Sequence, residues 1–151
     1  TVATSGSGGW VLVPKGLAPY AILASALIGY LASIAGFLDY AKSLGVCELG
    51  GAFSCESVYS IPQARILGVH LSEAAPVYFT LLALSSIAYA VGYKRAVTAV
   101  AILSIPALAL IPYLVYLELW VARAICIWCT VMHLSIIICS VFSASALKAG
   151  R

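Results

Sequence analysis

The sequence predicts an all-α membrane protein, a four-transmembrane-helix bundle with an outer loop that carries a short interfacial helix. Three observations lead there. Hydrophobic residues make up 64% of the 151 and charged residues only 9%, with a mean hydropathy of +1.10. A soluble domain carries about 25% charged residues, so this chain has too few to cover a water-facing surface. Four apolar stretches, at about 17–38, 74–92, 96–117 and 125–147, each approach the ~20 residues a helix needs to cross the hydrocarbon layer. The third observation is where the charges fall: no Lys, Arg, Asp or Glu lies inside any of these stretches. Backbone in lipid must satisfy its own hydrogen bonds, which favours helices, and no alternating barrel pattern is visible.

Taken in order, residues 1–16 (TVATSGSGGWVLVPKG) are rich in Gly and Ser and read as a flexible tail before one four-helix transmembrane domain over 17–151. After the first span comes a long loop, about 39–73, in which SIPQARILGVHLSEAAP spaces its apolar residues like a short interfacial helix. Tyr93-Lys94-Arg95 forms a tight turn between the second and third spans. Pro106 and Pro112 lie within the third span and are expected to bend it, since proline removes a helix hydrogen bond. Four spans put both ends of the chain on one side. That side carries Lys15, Lys94, Arg95, Lys148 and Arg151 and no acid. The other side carries Lys42, Arg65 and Arg123 with Asp39, Glu48, Glu56, Glu73 and Glu118. Five basic residues against three favour cytosolic termini, with the long loop outside the cytosol in a multi-pass plasma-membrane protein. A net charge of +3 is too small to suggest nucleic acid.

Of five cysteines, Cys47, Cys55, Cys126 and Cys129 fall on the outer side, where pairs persist as disulfides. On an ideal helix, positions 126, 129 and 133 lie at about 0°, 300° and 340°, so Cys126, Cys129 and His133 share a face. Cys139, at about 220° on the same wheel, sits on another face and ~15 Å deeper than Cys129; it reads as a buried packing residue. Trp128, at about 200°, points away from the cysteine face. A C-x-x-C at a helix start meets unpaired N–H groups and the positive end of the dipole, which favour the thiolate. The thiolate is the nucleophile of disulfide exchange, and Arg123 just upstream adds a positive charge. An inert disulfide is the plainer alternative, and a zinc site would need Cys47 and Cys55 as further ligands at an unusual C-x7-C spacing. No metal is expected. CELGGAFSC, with Gly50-Gly51 inside it, is flexible enough to close a disulfide or open it. Two such pairs on one side of a bundle suit an electron relay.

Four features in order carry a resemblance to a known family: the loop cysteine pair, CESVYS after its second member, ILGVHLS before the second span, and CIWC opening the fourth. With them the chain, from about residue 17 onward, resembles the vitamin K epoxide reductase family, including its bacterial and archaeal disulfide-forming members. ILGVHLS looks like the family's Gly-hydrophobic-Pro-Leu turn with His70 in place of proline. The resemblance implies a four-helix bundle around a quinone (ubiquinone, menaquinone or similar), with Cys129 the thiol nearest the ring. Cys126 would be its partner and exchange with Cys55, and Cys47 would meet an external thioredoxin-like thiol oxidoreductase. That partner is expected to be a separate protein, because 151 residues hold no such domain.

Departures from the family pattern are informative. The usual Ser-Ser after the loop cysteine reads Ser60-Ile61, so Ser60 alone is left to hydrogen-bond. Vertebrate enzymes hold the quinone with an asparagine, and this chain has none; His133 stands where they have an aromatic hydroxyl. These departures point away from vitamin K quinone or epoxide reduction as the physiological task and toward a thiol:quinone oxidoreductase. His133, Phe53, Tyr59, Ser60, Tyr113 and Tyr116 are the expected quinone contacts, although Tyr and Trp also gather at membrane interfaces. Trp120 and Trp128 are further candidates of the same kind. Glu48, Glu56 and Glu118 read as solvated charges, and Asp39 as a helix cap or a partner of Arg123 or Lys42. A claudin-like scaffold would lack a reason for C-x-x-C, and the bacterial Dsb-system quinone reductases have the two cysteine pairs in the opposite order.

Overall fold

A computed structural model describes residues 16–150; residues 1–15, most of the expected N-terminal tail, lie outside the described residues. Four long apolar helices span it: α1 (Ala18–Lys42), α3 (Leu71–Ala90), α4 (Ala96–Tyr116, continued by a π-helical turn Leu117–Ala122) and α5 (Ile127–Ala149). α2 (Cys55–Tyr59) is a short helix in the loop between α1 and α3. The four-helix membrane bundle is therefore the observed fold.

α1 starts behind Pro19 in its first turn, where the missing N–H has no helical partner to lose. It ends at Ser43, whose left-handed φ of 49° turns the chain into the loop. Its buried face repeats small residues at helical spacing, including Ala26, Gly29, Ser33 and Gly36. Small residues let membrane helices approach closely, where lipid offers no hydrophobic drive for association. α1 packs on α3 and α5, and α4 closes the ring by packing on the same two helices. Ile22, Phe79, Leu82, Val100, Ile136 and Cys139 form the core between them. Leu31, Leu84 and Ile102 face outward, as lipid-facing residues do.

Pro106 and Pro112 do not break α4, which continues through both and then widens into the π turn. Its helical segment thus reaches Ala122, beyond the expected end near 117. The loop differs from expectation in where its helix lies. The helical stretch is α2, started by Ser54, whose Oγ accepts from the Ser57 N–H at 3.2 Å. SIPQARILGVHLSEAAP instead forms a 3-10 turn (Pro62–Ala64) and a two-stranded hairpin, β1 (Arg65–Ile66) and β2 (Val69–His70), before entering α3. The hairpin turn places Leu67 at φ 52° and Gly68 at φ 84°. Two successive left-handed residues make the tight turn that suits the twist of a hairpin, and they interrupt any helix.

Candidate active site

The chain before α5 is strapped to the loop. Ile125 N–H donates to Ala52 O at 2.8 Å and Ser54 N–H to Ile125 O at 3.2 Å, with Phe53 bridged beside Ile125. This strap holds Cys126 extended (φ −91°, ψ 119°) as the N-cap of α5, one residue before the helix begins. The common face expected for Cys126, Cys129 and His133 therefore divides. Cys129 and His133 lie within α5 and line a cavity, while Cys126 meets the loop. An ideal wheel fails at 126 because that residue's torsions are not helical.

Cys47 and Cys55 form a disulfide, with Cα atoms 5.6 Å apart. Cys126 Sγ lies 2.8 Å from Cys55 Sγ, and all three sulfurs fall within 4.8 Å of one another in a buried cluster. Thiol–disulfide exchange proceeds by attack of a thiolate on a disulfide sulfur, and this contact presents that pair of atoms. Zinc binds thiolates, whereas two of these three sulfurs are bonded to each other. Cys126 and Cys129 are free. Cys139 is buried in the core against the Ile22 carbonyl, in keeping with its wheel position.

A hydrogen bond from Cys129 holds the Cys126 thiol below its usual pKa, opposed by burial and assisted by the Cys129 backbone N–H and the Tyr59 hydroxyl. Tyr59 is pushed far up, first by burial and then by the neighbouring Cys126 and Cys129 charges, so it stays a donor. With Cys126 as a thiol, its Sγ–H donates to Tyr59 Oη at 3.8 Å and the Tyr59 hydroxyl donates to Gly36 O at 3.3 Å; once Cys126 ionises, the hydroxyl turns to donate to the thiolate instead. Removing this donor takes support from the thiolate, so Tyr59→Phe should raise the Cys126 pKa. The pH profile of Cys55–Cys126 disulfide formation should then move to higher pH, with the neutral-pH rate falling about threefold to tenfold. An unmoved profile would remove Tyr59 from this role.

Tyr59 is itself positioned by a residue first read only as part of a turn. His70 Nδ1 accepts from the Ser72 N–H at 3.1 Å, which leaves Nε2–H to donate to Tyr59 O at 3.1 Å. The imidazole stacks on Tyr40, with centroids 4.0 Å apart. Asp39 ties the loop to α1: its Oδ1 accepts from Val46 N–H at 3.2 Å. Glu48, read as solvated, is exposed but braces the loop by accepting from Ser54 Oγ and Glu56 N–H, each at 3.1 Å.

Beneath the C-x-x-C lies a cavity of about 280 Å³ bounded by all four long helices. Its walls are largely apolar, among them Phe79, Met132 and Ile136, with Cys129, His133, Tyr59 and Glu118 contributing polar groups. An apolar slot with a few convergent polar groups and a thiol suits a flat ring bearing carbonyl oxygens. Of the expected quinone contacts, Tyr59 and His133 line it. Phe53, Ser60, Tyr113 and Tyr116 do not. Phe53 is exposed in the strap, and Ser60 is exposed at the end of α2, donating to Glu56 O at 2.7 Å. Tyr113 and Tyr116 are about half exposed and take no part in the cavity wall. Tyr116 stacks on Trp120. Trp128 avoids the cavity and packs on Gly36 of α1.

Glu118 overturns its reading as a solvated charge: it is 6% exposed and lines the cavity. It follows Leu114 by four residues and Ile111 by seven, on the stripe that lines the cavity, but α4 is apolar on every side and its sequence alone does not mark that stripe.

Comparison with curated proteins finds no match. Residues 20–144 match the sequence profile of the Vitamin K epoxide reductase family, whose members are oxidoreductases that use quinones. With that match over most of the chain, a four-helix membrane bundle and a loop disulfide in contact with a C-x-x-C, the protein belongs to the vitamin K epoxide reductase family.

Proposed function

We propose that the protein is an integral-membrane thiol:quinone oxidoreductase that generates protein disulfides outside the cytosol. One observation carries this reading: Cys126 Sγ sits 2.8 Å from the loop disulfide, while its C-x-x-C partner Cys129 lines the apolar cavity. Electrons from a thioredoxin-like dithiol would enter at Cys47, breaking the Cys47–Cys55 bond and oxidising the partner to a disulfide. Cys55 then attacks Cys126 of a Cys126–Cys129 disulfide, and Cys47 resolves the mixed disulfide. The result is a closed loop pair and a reduced C-x-x-C, the arrangement of bonded and free cysteines seen here. A bound quinone supplies a two-electron acceptor for that dithiol. Tyr59 would support the Cys126 thiolate, and the His133 imidazole, which lines the cavity, would hydrogen-bond a ring carbonyl.

Cys47 is buried, so the partner reaches it only when the loop opens. Gly45, Gly50 and Gly51, all at left-handed φ, flank Cys47 and allow that movement. The charge distribution supports cytosolic termini. Leu67 at the hairpin tip is fully exposed, so Leu67→Cys in intact cells should react with a membrane-impermeant maleimide added outside; reaction only after lysis would reverse the orientation. The activity itself is tested with purified protein in lipid vesicles, a reduced thioredoxin-like protein, and ubiquinone or menaquinone. Quinol should form as partner disulfide appears in equal amount. Absence of protein-dependent quinol would refute the reading.

A further inference from the structure

Glu118 is a buried ionisable group for which the relay above has no task. Among the described residues that line the cavity it is the single carboxyl, and none of them is a Lys or Arg that could pair with it. A carboxyl within a membrane-spanning segment is costly and marks functional pathways. The local fold holds it at the redox pair. Glu118 O accepts the N–H of Arg123 and, at 2.9 Å, that of Ala124, closing the left-handed turn at Arg123 that returns the chain to Cys126. The Cys126 backbone N–H and the Glu118 carboxyl interact electrostatically, and the carboxylate charge acts on both Cys126 and Cys129. π-helical turns such as the one bearing Glu118 concentrate at functional sites.

Oxidation of Cys126 and Cys129 to a disulfide releases two electrons and two protons, and an apolar cavity offers those protons few carriers. The other titratable groups that line it are His70, Tyr59, Tyr78 and His133. Both His70 nitrogens are engaged. The Tyr59 hydroxyl is held by Gly36 O and Cys126, and that of Tyr78 donates to Leu103 O. His133 lies one helical turn beyond Cys129, deeper in the bundle. We propose that Glu118 is the proton carrier of this site. Its carboxylate takes a proton from the Cys126–Cys129 dithiol as the sulfurs lose electrons, then delivers it to an oxygen of the quinone acceptor. Two such transfers per turnover account for both protons of the quinol and return Glu118 to its carboxylate.

This assignment rests on the quinone reading, so its decisive measurement is made without quinone. Infrared difference spectra between the dithiol and disulfide states of the purified protein should show a carboxyl C=O band that changes with redox state and shifts in D2O. Glu118→Gln should remove that band. The bonds that close the turn go to the Glu118 backbone carbonyl, and glutamine keeps the side-chain volume, so a purely structural role would survive the change. With partner and quinone added, Glu118→Gln should slow quinol formation roughly 100-fold. Glu118→Asp, which keeps the carboxyl, should restore most of it. A redox-linked carboxyl band that persists in Glu118→Gln, its absence from the wild type, or a Glu118→Gln turnover within about threefold of wild type would overturn the proposal. Failure of the quinone reading looks different. Wild-type protein would then make no quinol, while the infrared band would still rise or fall with Glu118 alone.

Discussion

A Cys129→Ser substitution is expected to abolish quinone reduction, by ~10³-fold or more, while leaving the loop chemistry able to proceed halfway. Among the described residues Cys129 is the one thiol on the cavity wall; Cys126 faces Cys55 across 2.8 Å instead. Without Cys129, a Cys126 thiolate can still attack Cys55 and release Cys47, but the onward route from Cys126 to the cavity is gone and only the reverse attack by Cys47 can break the new bond. The variant should therefore accumulate a Cys55–Cys126 disulfide, seen by peptide mapping under non-reducing conditions, and produce no quinol. Serine keeps the volume and a hydroxyl, so a folding defect would not imitate this pattern. Retained turnover would sink the proposed route, since electrons would then have another exit.

The second large effect is on the bundle rather than the chemistry. Gly29 sits where α1 approaches α3 and α5 most closely: a Cβ there would fall onto the Phe79 ring and the Ser135 hydroxyl. Phe79 is 2% exposed in the core, and Ser135 Oγ donates to the Ser25 carbonyl on α1. Ser135 is fixed by that bond, and Phe79 could give way only by swinging its ring into the cavity it lines. Overpacking of a filled core typically costs about 1–3 kcal/mol, and Gly29→Val should reach the upper end because both branches add to the clash. The expected readout is a clear fall in melting temperature in detergent, with Gly29→Ala intermediate. Gly150→Ala is the control: its Cβ would meet nothing closer than 3.6 Å, and it should leave the melting temperature unchanged. Equal melting for Gly29→Val and wild type would mean that the helices do not meet as described.

The legible part of this protein was the part governed by local pattern. Apolar runs of spanning length lead to helices in lipid whatever their neighbours, so the four spans follow from hydropathy alone. The connection at Tyr93–Arg95 and the positions of both cysteine pairs are equally local. Within α5 the wheel separated Cys129 and His133 from Cys139 correctly, because true helical torsions hold from Ile127 onward. It failed one residue earlier, at Cys126, where the strap from Ala52 and Ser54 to Ile125 sets an extended backbone. The loop was misread for a related reason. SIPQARILGVHLSEAAP has helix-like apolar spacing, but Leu67 and Gly68 adopt left-handed torsions that favour a hairpin.

The sequence by itself determined a membrane bundle, a redox-capable C-x-x-C at a helix start and a second cysteine pair on the same side. Those properties depend on residue type, spacing and charge along the chain. Only the tertiary structure decided which sulfurs touch, which aromatics face lipid, and which charge is buried. Tyr113 and Glu118 lie five residues apart on one helical segment, yet one is exposed and the other lines the cavity. What separates them is the placement of α1, α3 and α5 around the stripe bearing Glu118, a long-range arrangement that reading α4 alone does not reveal.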